Sequence, residues 1–386
     1  MRVLLFFRHR GVAVLRLGIV VVIGWWVIQF FATSAVAAPA FISAWPDTDF
    51  DRRSVALDEI VSGGPPKDGI PAIDRPLFVT PTEAAEWLDP REPVISVERN
   101  GDARAYPLQI LIYHEIVNDS VGGDPLAVTF CPLCNASIVY ERRVAGRVLD
   151  FGTTGLLRKS DLVMYDRQTE SWWQQFTGTA IIGELNGAEL RQAPSSIVAF
   201  EAFSSTYPQG RVLSRKTGHF RPYGRNPYRG YDRIGNIPFL LQDPADERLP
   251  AMERVIGVSN GDRHRVYPFE TLRSAPVIND LLGDVPVVVF SKEGTLSVLD
   301  SGEIKESRTV PSATAYRRDL GNRLLTFEVR DDGIYDRETG SRWNLFGTAV
   351  DGRLRGAQLT PLPGGVHFAF AWLAFRPGSE IYAATR

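Results

Sequence analysis

Cysteine is scarce in this sequence, which contains only Cys131 and Cys134 in 386 residues. Two thiols exclude a fold stapled by several disulfides, and a chain of this length buries enough surface to fold without such staples. The formal net charge of -2 excludes a general nucleic-acid binder. Apolar and charged fractions of 44% and 23% are ordinary, which excludes a disordered chain and a polytopic membrane protein.

A long hydrophobic run lies at the N-terminus, where residues 17–31 are almost wholly apolar. The run follows a segment with four arginines and leads to Ala-Val-Ala at residues 35–37. This order is typical of an export signal, so residues 1–37 are predicted to be a cleaved signal peptide or, if uncleaved, a membrane anchor. We expect an exported protein, periplasmic or extracellular, that meets a membrane only through an uncleaved N-terminal segment.

The rest of the chain contains an internal repeat. A Pro/Gly-rich lead-in at residues 38–91 precedes a first copy at residues 92–213. An Arg/Tyr-rich linker at residues 214–252 then leads to a second, degenerate copy at residues 253–386. The stretch MYDRQTESWWQQFTG of the first copy answers IYDRETGSRWNLFG of the second, in the same order among other matches. Two domain-sized copies differ from a solenoid, which needs more and shorter repeats.

Each copy has the pattern of a β-rich unit. The Asn-Gly pair at residues 100–101 predicts a hairpin turn, and segments such as ASIVYERRV are rich in β-branched and aromatic residues. The segment PLQILIYHEIVND has apolar residues at near-helical spacing and predicts a short helix. The predicted fold is mainly β, a β-rich α+β class: two tandem homologous antiparallel β units packed as a pseudo-dimer, with few short helices.

The repeat provides an internal control for function. Residues present in both copies are expected to be structural, whereas residues present in one copy are candidates for chemistry. Asp166 and Trp173 recur as Asp336 and Trp343. We predict that these aspartates cap a turn and that the tryptophans anchor the cores.

Three features occur only in the first copy. They are the two cysteines, the His-Glu pair at residues 114–115, and the long loop GTTGLLRKSD at residues 152–161. Aligning the letters places Ser291 and Gly294 opposite the cysteines, and Ala275 and Pro276 opposite the His-Glu pair. The first copy is therefore predicted to be active, and the second to be a scaffold.

The segment Cys-Pro-Leu-Cys-Asn is predicted to form a knuckle that presents both sulfurs on a tight bend. Pro132 suits the second position of a turn, and Asn135 tolerates the left-handed conformation. Metal sites are built on such knuckles. The predicted metal ligands are Cys131, Cys134, His114 and, as a fourth, Met164. A methionine would make the site soft and suited to copper, and zinc is the other candidate ion.

Three further residues are candidates for catalysis beside the metal: Glu115, Arg158 and Asp161. The two carboxylates could serve as a general base or as harder ligands. Arg158 and Asp161 belong to the long loop, which we expect to border the site. The substrate or redox partner is undetermined at this stage. The remaining histidines of the mature chain, His219, His264 and His367, have no clustered partners and are predicted to be structural or at the surface.

Two other functions fit the same motif. A thiol-disulfide oxidoreductase would use Cys131 and Cys134, with His114 lowering a thiol pKa, although the usual βαβ setting is missing. A non-enzymatic β-rich binding module would carry a structural disulfide instead. That bond is natural in an exported protein, but so short a loop would gain only about 2 kcal/mol.

Several long stretches resemble the bacterial and archaeal family known as domain of unknown function 3179. They are GGPPKDGIPAIDRPLF, ARAYPLQILIYHEIVNDSVGGDPLAVTFCPLCNASIVY, FGTTGLLRKSDLVMYDRQTESWWQQFTG and YGRNPYRGYD. The resemblance covers most of the chain after the N-terminal segment and implies an exported protein. It implies no particular activity, so function depends on the residues themselves.

Overall fold

The computed structural model describes residues 40–331 and 333–383. The predicted signal or anchor at residues 1–37 lies outside this part of the chain. Strands make up 42% and helices 11% of the structure, with five short α-helices and many antiparallel sheets. The prediction of a β-rich α+β fold is confirmed, while the packing of the copies as a pseudo-dimer stays a prediction. No helix in the described ranges has both the length and the apolar character needed to cross a membrane.

The strands follow one another closely along the chain. From residue 40 to the end of the first copy they are β1 (Ile60–Ser62), β2 (Phe78–Val79), β3 (Pro93–Arg99), β4 (Asp102–Pro107), β5 (Ile116–Val121), β6 (Asp124–Cys131), β7 (Ala136–Glu141), β8 (Arg143–Val144), β9 (Arg147–Val148), β10 (Phe151–Arg158), β11 (Asp161–Asp166), β12 (Trp172–Gln174), β13 (Thr179–Ile182), β14 (Gln192–Ala193), β15 (Ser196–Ala199) and β16 (Arg211–Leu213). In the second copy they are β17 (Arg254–Asn260), β18 (Arg263–Pro268), β19 (Val277–Leu282), β20 (Val285–Leu296), β21 (Thr309–Arg317), β22 (Asp319–Leu320), β23 (Arg323–Leu324), β24 (Phe327–Arg330), β25 (Gly333–Asp336), β26 (Arg342–Trp343), β27 (Ala349–Asp351), β28 (Gly364–Phe368) and β29 (Glu380–Ile381).

The helices are short and lie between strands along the chain. The α-helices are α1 (Pro81–Ala84), α2 (Leu108–Leu111), α3 (Phe200–Thr206), α4 (Phe269–Ser274) and α5 (Ala369–Phe375). Single 3₁₀ turns occur at Ala40–Ala44, Leu57–Glu59 and Ile304–Glu306. The segment predicted to be helical begins as α2, directly after a proline that ends strand β4.

The two copies share one sheet plan. The order β15-β3-β4-β16 in the first copy recurs as β28-β17-β18-β29, and in both the last pair is parallel. The order β7-β6-β5 recurs as β21-β20-β19, and β10-β11-β12-β13 recurs as β24-β25-β26-β27. Strands β6 and β11 are buried along most of their length, which explains why their sequences are nearly continuous apolar runs.

Local turn chemistry forms as the sequence predicts. Asn100 and Gly101 join β3 to β4 with φ values of 53° and 82°, the geometry of a two-residue hairpin turn. Asp166 accepts hydrogen bonds from the Thr169 amide at 2.7 Å and from the Trp173 indole at 2.9 Å. Asp336 makes the same two bonds in the second copy, at 2.6 and 2.9 Å. The prediction that these aspartates cap a turn is confirmed.

Strand pairing corrects the alignment of the two copies by one residue. The amides of Phe130 and Ser291 both donate, at 2.8 Å, to the carbonyl just before the neighbouring strand, β5 or β19. Ser291 therefore takes the place of Phe130, and Lys292 takes the place of Cys131. The alignment by residue type required a gap of one residue in this strand. The strand pairing is continuous here and leaves no room for such a gap, because a shift of one residue would turn every following side chain to the other face of the sheet.

Removing the shared turn aspartate is expected to destabilise the protein strongly. In Asp166→Ala, the buried Trp173 indole and Thr169 amide lose their acceptor, so the free energy of unfolding should fall by about 3 kcal/mol. Urea unfolding at neutral pH measures this change. Asp336→Ala should cost a similar amount, whereas the exposed Asp262→Ala should change stability by less than about 0.5 kcal/mol. Equal, small effects at all three positions would contradict the structural role.

Candidate metal centre

The two cysteines lie on a tight bend between strands. Cys131 is the last residue of β6, and Ala136 begins β7 opposite it. Asn135 has a φ of 48° and donates its amide to the Pro132 carbonyl at 3.2 Å. The predicted knuckle is thus confirmed. Both cysteines are free thiols and both are buried.

The hairpin β10–β11 carries Asp161 to this knuckle. Arg158 and Asp161 are Cα partners at its tip, and the turn residues Lys159 and Ser160 have φ values of 52° and 65°. The Ser160 carbonyl accepts a 3.5 Å hydrogen bond from the Cys134 thiol. The equivalent strands β24 and β25 have four residues each, against eight and six here, so the second copy has no counterpart of Asp161. The expectation that the long loop borders the site is confirmed.

Asp161 and the two thiols form one buried group. A ligand atom from each of Cys131, Cys134 and Asp161 lies within 4.8 Å of the other two. One carboxylate oxygen, Oδ2, accepts hydrogen bonds from the Gln174 side chain at 2.7 Å and from the Phe176 amide at 2.9 Å. The other, Oδ1, is buried and has no hydrogen bond of ordinary geometry to any described residue. The carboxylate is therefore oriented by one oxygen. Burial raises its pKa, and the two neighbouring thiols act on it as weak donors that partly lower it.

Glu115 lies next to this group on an unusual backbone. Its φ is 56°, a left-handed conformation that costs an L-residue roughly 1–2 kcal/mol. Its amide donates to the Leu111 carbonyl at 2.7 Å, and its carbonyl accepts from the Phe130 amide at 2.8 Å. Glycine would adopt this turn without cost, so a glutamate here points to a use for its side chain. We call Glu115, Cys131, Cys134 and Asp161 the acid cluster.

Burial raises the pKa of every group in the acid cluster. It raises the pKa of Asp161 to about 7. It raises the pKa of Glu115 to about 8, with the charge of Asp161 as the second cause. The pKa values of Cys131 and Cys134 are also raised, in both cases chiefly by burial. Without a counter-charge, Glu115 and the two thiols keep their protons near neutral pH, while Asp161 titrates there.

No basic side chain compensates the acid cluster directly. Within the described residues, neither Asp161 nor Glu115 forms an ion pair. Arg158 is the basic residue on the same hairpin, but its guanidinium pairs with Glu59 at 2.6 Å. It reaches the Gln174 side-chain oxygen at 3.4 Å, and the Gln174 amide in turn donates to Asp161. Arg158 therefore helps to position Asp161 through Gln174 and leaves the cluster without a cation.

His114 lies outside the group of three ligand atoms. Its Nδ1 donates to the Pro71 carbonyl at 2.7 Å, and its Nε2 accepts from the Tyr223 hydroxyl at 2.7 Å. Burial lowers the pKa of His114 to about 4, so the ring is neutral. A metal bond would have to replace one of these hydrogen bonds, so the prediction of His114 as third ligand finds no support in this geometry. The two bonds instead hold the turn that carries Glu115.

Met164 occupies the middle of strand β11, opposite Thr153 and Trp173. It is fully buried and belongs to the main apolar core, which also contains both cysteines. The role of its sulfur as a fourth ligand stays a prediction.

The second copy contacts the knuckle through a segment that the sequence did not single out as part of the site. His367 was predicted to be structural or at the surface, and it is buried with its ring centroid 4.8 Å from that of Phe176. Burial lowers the pKa of His367 to about 3, and its Nδ1 has no partner among the described residues. The adjacent Phe368 donates its amide to the Cys134 carbonyl at 2.9 Å. No local signal in the sequence indicates this contact, because it joins residues more than two hundred positions apart.

The linker at residues 214–252 also contacts the knuckle. The Tyr231 hydroxyl donates to the Leu133 carbonyl at 3.1 Å. Burial raises the pKa of Tyr228, and the charges of Glu115 and Cys131 raise it further, which places this phenol beside the cluster. The richness of the linker in tyrosine was visible in the sequence, but its position over the cysteines was not.

Fold and site together define a β-rich protein built from a duplicated unit, with one buried cluster of two thiols and two carboxyls. Residues 67–379 match the family model described as "Protein of unknown function (DUF3179)". The chain belongs to this family, as its resemblance predicted. No curated protein and no solved structure matches the chain. The function must therefore be argued from the site.

In the metal-free protein, Glu115 is expected to make stability fall as the pH rises. Its folded pKa of about 8 lies above the usual 4.5, so the folded state keeps a proton that the unfolded chain loses. Glu115 has no effect on stability below pH 4.5 and destabilises progressively up to pH 8, by about 5 kcal/mol at most. Urea unfolding after chelation, at about pH 5 and about pH 8, measures the difference.

Two matched variants decide whether Glu115 causes the difference in stability between the two pH values. Glu115→Gln should reduce this pH difference. The residual dependence should combine a further fall in stability from Asp161 with an opposite rise from His114 and His367, whose buried rings stay neutral where the unfolded chain binds a proton. The exposed Glu201→Gln should leave the difference unchanged. A Glu115→Gln protein with the same pH difference as the wild type would contradict the assignment.

Proposed function

We propose that the chain binds one thiophilic divalent metal ion, zinc before copper, at Cys131, Cys134 and Asp161. The observation that carries the proposal is the meeting of three buried ligand atoms within 4.8 Å of one another. Zinc bonds of about 2.3 Å to sulfur and about 2.0–2.2 Å to oxygen set tetrahedral donors roughly 3.5–3.8 Å apart. A small closure of the three side chains would therefore complete the site.

The charge balance supports a metal over an empty cluster. Two thiols and two carboxyls are buried together with no ion pair to Asp161 or Glu115 in the described chain. Burying such groups ionised is costly unless a cation joins them. A divalent ion would supply that charge and displace the protons, because thiolate and carboxylate are the forms that bind metal.

The donor set favours zinc over copper. The sequence suggested a soft site because Met164 was a candidate fourth ligand beside the two cysteines and His114. The geometry offers the Asp161 carboxylate in their place, and carboxylate oxygen is a hard donor. Two thiolates with one carboxylate form a borderline set, which suits zinc better than copper(I).

The burial of the thiols weakens the case for an oxidoreductase. A dithiol enzyme needs an accessible thiolate with a lowered pKa. Here both thiols are buried, and burial raises the pKa of each. A permanent disulfide is likewise not favoured, since both cysteines are free.

Three protein ligands leave a fourth position for water or a small molecule, the arrangement found in catalytic zinc sites. When bound, zinc lowers the pKa of a coordinated water and polarises an oxygen of the substrate. Glu115 lies beside the group of three and would act as the general base, while Arg158 would position Asp161 through Gln174. The small-molecule substrate is undefined, and the expected N-terminal export signal supports a role outside the cytoplasm.

Elemental analysis of anaerobically purified protein tests the metal. The wild type should carry about one zinc or copper per chain. Cys131→Ser and Asp161→Asn should each reduce that content at least about fivefold, because each removes one of three ligands. Lys292→Ala in the second copy, at the exposed position that takes the place of Cys131, is the matched control and should retain the metal.

The role of His114 is tested in the same experiment. His114→Gln should keep the metal, because its two ring nitrogens bond Pro71 and Tyr223. Loss of metal in this variant alone, with Asp161→Asn unaffected, would restore His114 as the third ligand. A wild type without metal would remove the proposal altogether.

A further inference from the structure

Exposed apolar side chains are concentrated on the linker. Of the eleven large apolar residues exposed in the described ranges, five lie between residues 220 and 240. They are Phe220, Ile234, Ile237, Phe239 and Leu240, with exposures of 95%, 60%, 86%, 47% and 38%. Such a concentration of exposed apolar side chains in one short segment indicates a surface that binds a partner.

The turn around Ile237 is ordered by its own hydrogen bonds. The Asn236 amide donates to the Arg233 carbonyl at 3.1 Å, and its side chain donates to the Gly230 carbonyl at 2.9 Å. The Phe239 amide donates to the Tyr231 hydroxyl at 3.2 Å. The apolar side chains therefore project from a fixed turn, so little ordering entropy opposes their burial against a partner.

The charge beside this turn is positive. Arg229 and Arg233 are exposed, and neither forms an ion pair within the part of the chain that the structure describes. The sequence from 216 to 240 contains a single acidic residue, Asp232. That residue is buried and paired with Arg254 at 2.7 Å, so it does not neutralise the outer face. We call Arg229, Arg233, Ile234, Ile237 and Phe239 the linker surface.

We propose that the linker surface docks on an anionic phospholipid bilayer. Protruding apolar side chains would enter the boundary between headgroups and acyl chains, and the two arginines would bind the phosphates. Charge complementarity favours this partner, because Arg229 and Arg233 form no ion pair within the described residues and Asp232 between them is buried and paired with Arg254. The apolar run at residues 17–31 would hold an uncleaved chain at a membrane, which agrees with the same partner.

Docking would bring the acid cluster close to the lipid surface. Tyr231 bonds both the base of the projecting turn and the Leu133 carbonyl of the knuckle. The sequence alone predicted membrane contact only through an uncleaved N-terminal segment, and the linker surface adds a second contact in the folded part. The proposal does not depend on the metal.

Vesicle co-sedimentation tests the proposal on the chain from Pro39 onward. This part forms a compact unit without residues 1–38, so the N-terminal apolar run does not contribute to binding. The wild type should bind vesicles of phosphatidylglycerol and phosphatidylcholine, and bind pure phosphatidylcholine at least about tenfold more weakly. Ile237→Asp with Phe239→Asp should weaken binding at least about tenfold, and Arg229→Glu with Arg233→Glu should do the same.

Two controls keep the outcome decisive. Val329→Asp changes an exposed apolar residue outside the linker surface and should bind as the wild type does. Ile237→Trp should show a blue shift of its fluorescence on anionic vesicles, which reports insertion directly. Absence of wild-type binding, or equal binding by the Ile237 and Phe239 double variant, overturns the proposal. Unchanged zinc content in that variant separates this result from the metal proposal.

Discussion

Two thiols and two carboxyls buried together cannot all ionise unless a cation joins them, and the first copy is arranged around this constraint. Gln174 and the Phe176 amide hold one oxygen of Asp161, and within the described residues the other has no hydrogen bond of ordinary geometry. Arg158 is engaged by Glu59, so it orients the cluster without neutralising it. The burial that raises the pKa of these groups also makes a metal ion the most effective way to stabilise their charged forms.

The two copies differ in the residues that form the acid cluster. The first copy extends one hairpin to bring Asp161 to the cysteines, whereas the second keeps that hairpin short and has Lys292 where Cys131 would stand. The second copy instead packs against the first copy near these residues: the Phe368 amide bonds the Cys134 carbonyl, and the His367 ring packs on Phe176. The acid cluster of one copy thus packs against the other copy and against the linker.

Local patterns predicted the knuckle correctly because a tight bend depends on neighbours in the chain. Asn135 adopts the left-handed conformation that its residue type suggests. The choice of His114 as third ligand came from its absence in the second copy together with the cysteines. The structure shows another role for His114, whose two ring hydrogen bonds brace the turn that presents Glu115, and its place as a metal ligand stays a prediction. Asp161 was recognised as a candidate, but its distance from the thiols could not be known from spacing.

The sequence by itself determined the β-rich class, the duplication, the hairpin at Asn100 and the bend of the cysteines. These features depend on contacts between residues close along the chain, where propensity and turn chemistry act. Only the tertiary structure decided which side chains meet at the site, which carboxyl lies beside the thiols, and that Phe368 of the second copy bonds the Cys134 carbonyl. Residues distant in sequence set the burial and the charge compensation of a thiol or carboxyl. Burial and charge compensation in turn determine whether that group keeps its proton or binds a metal.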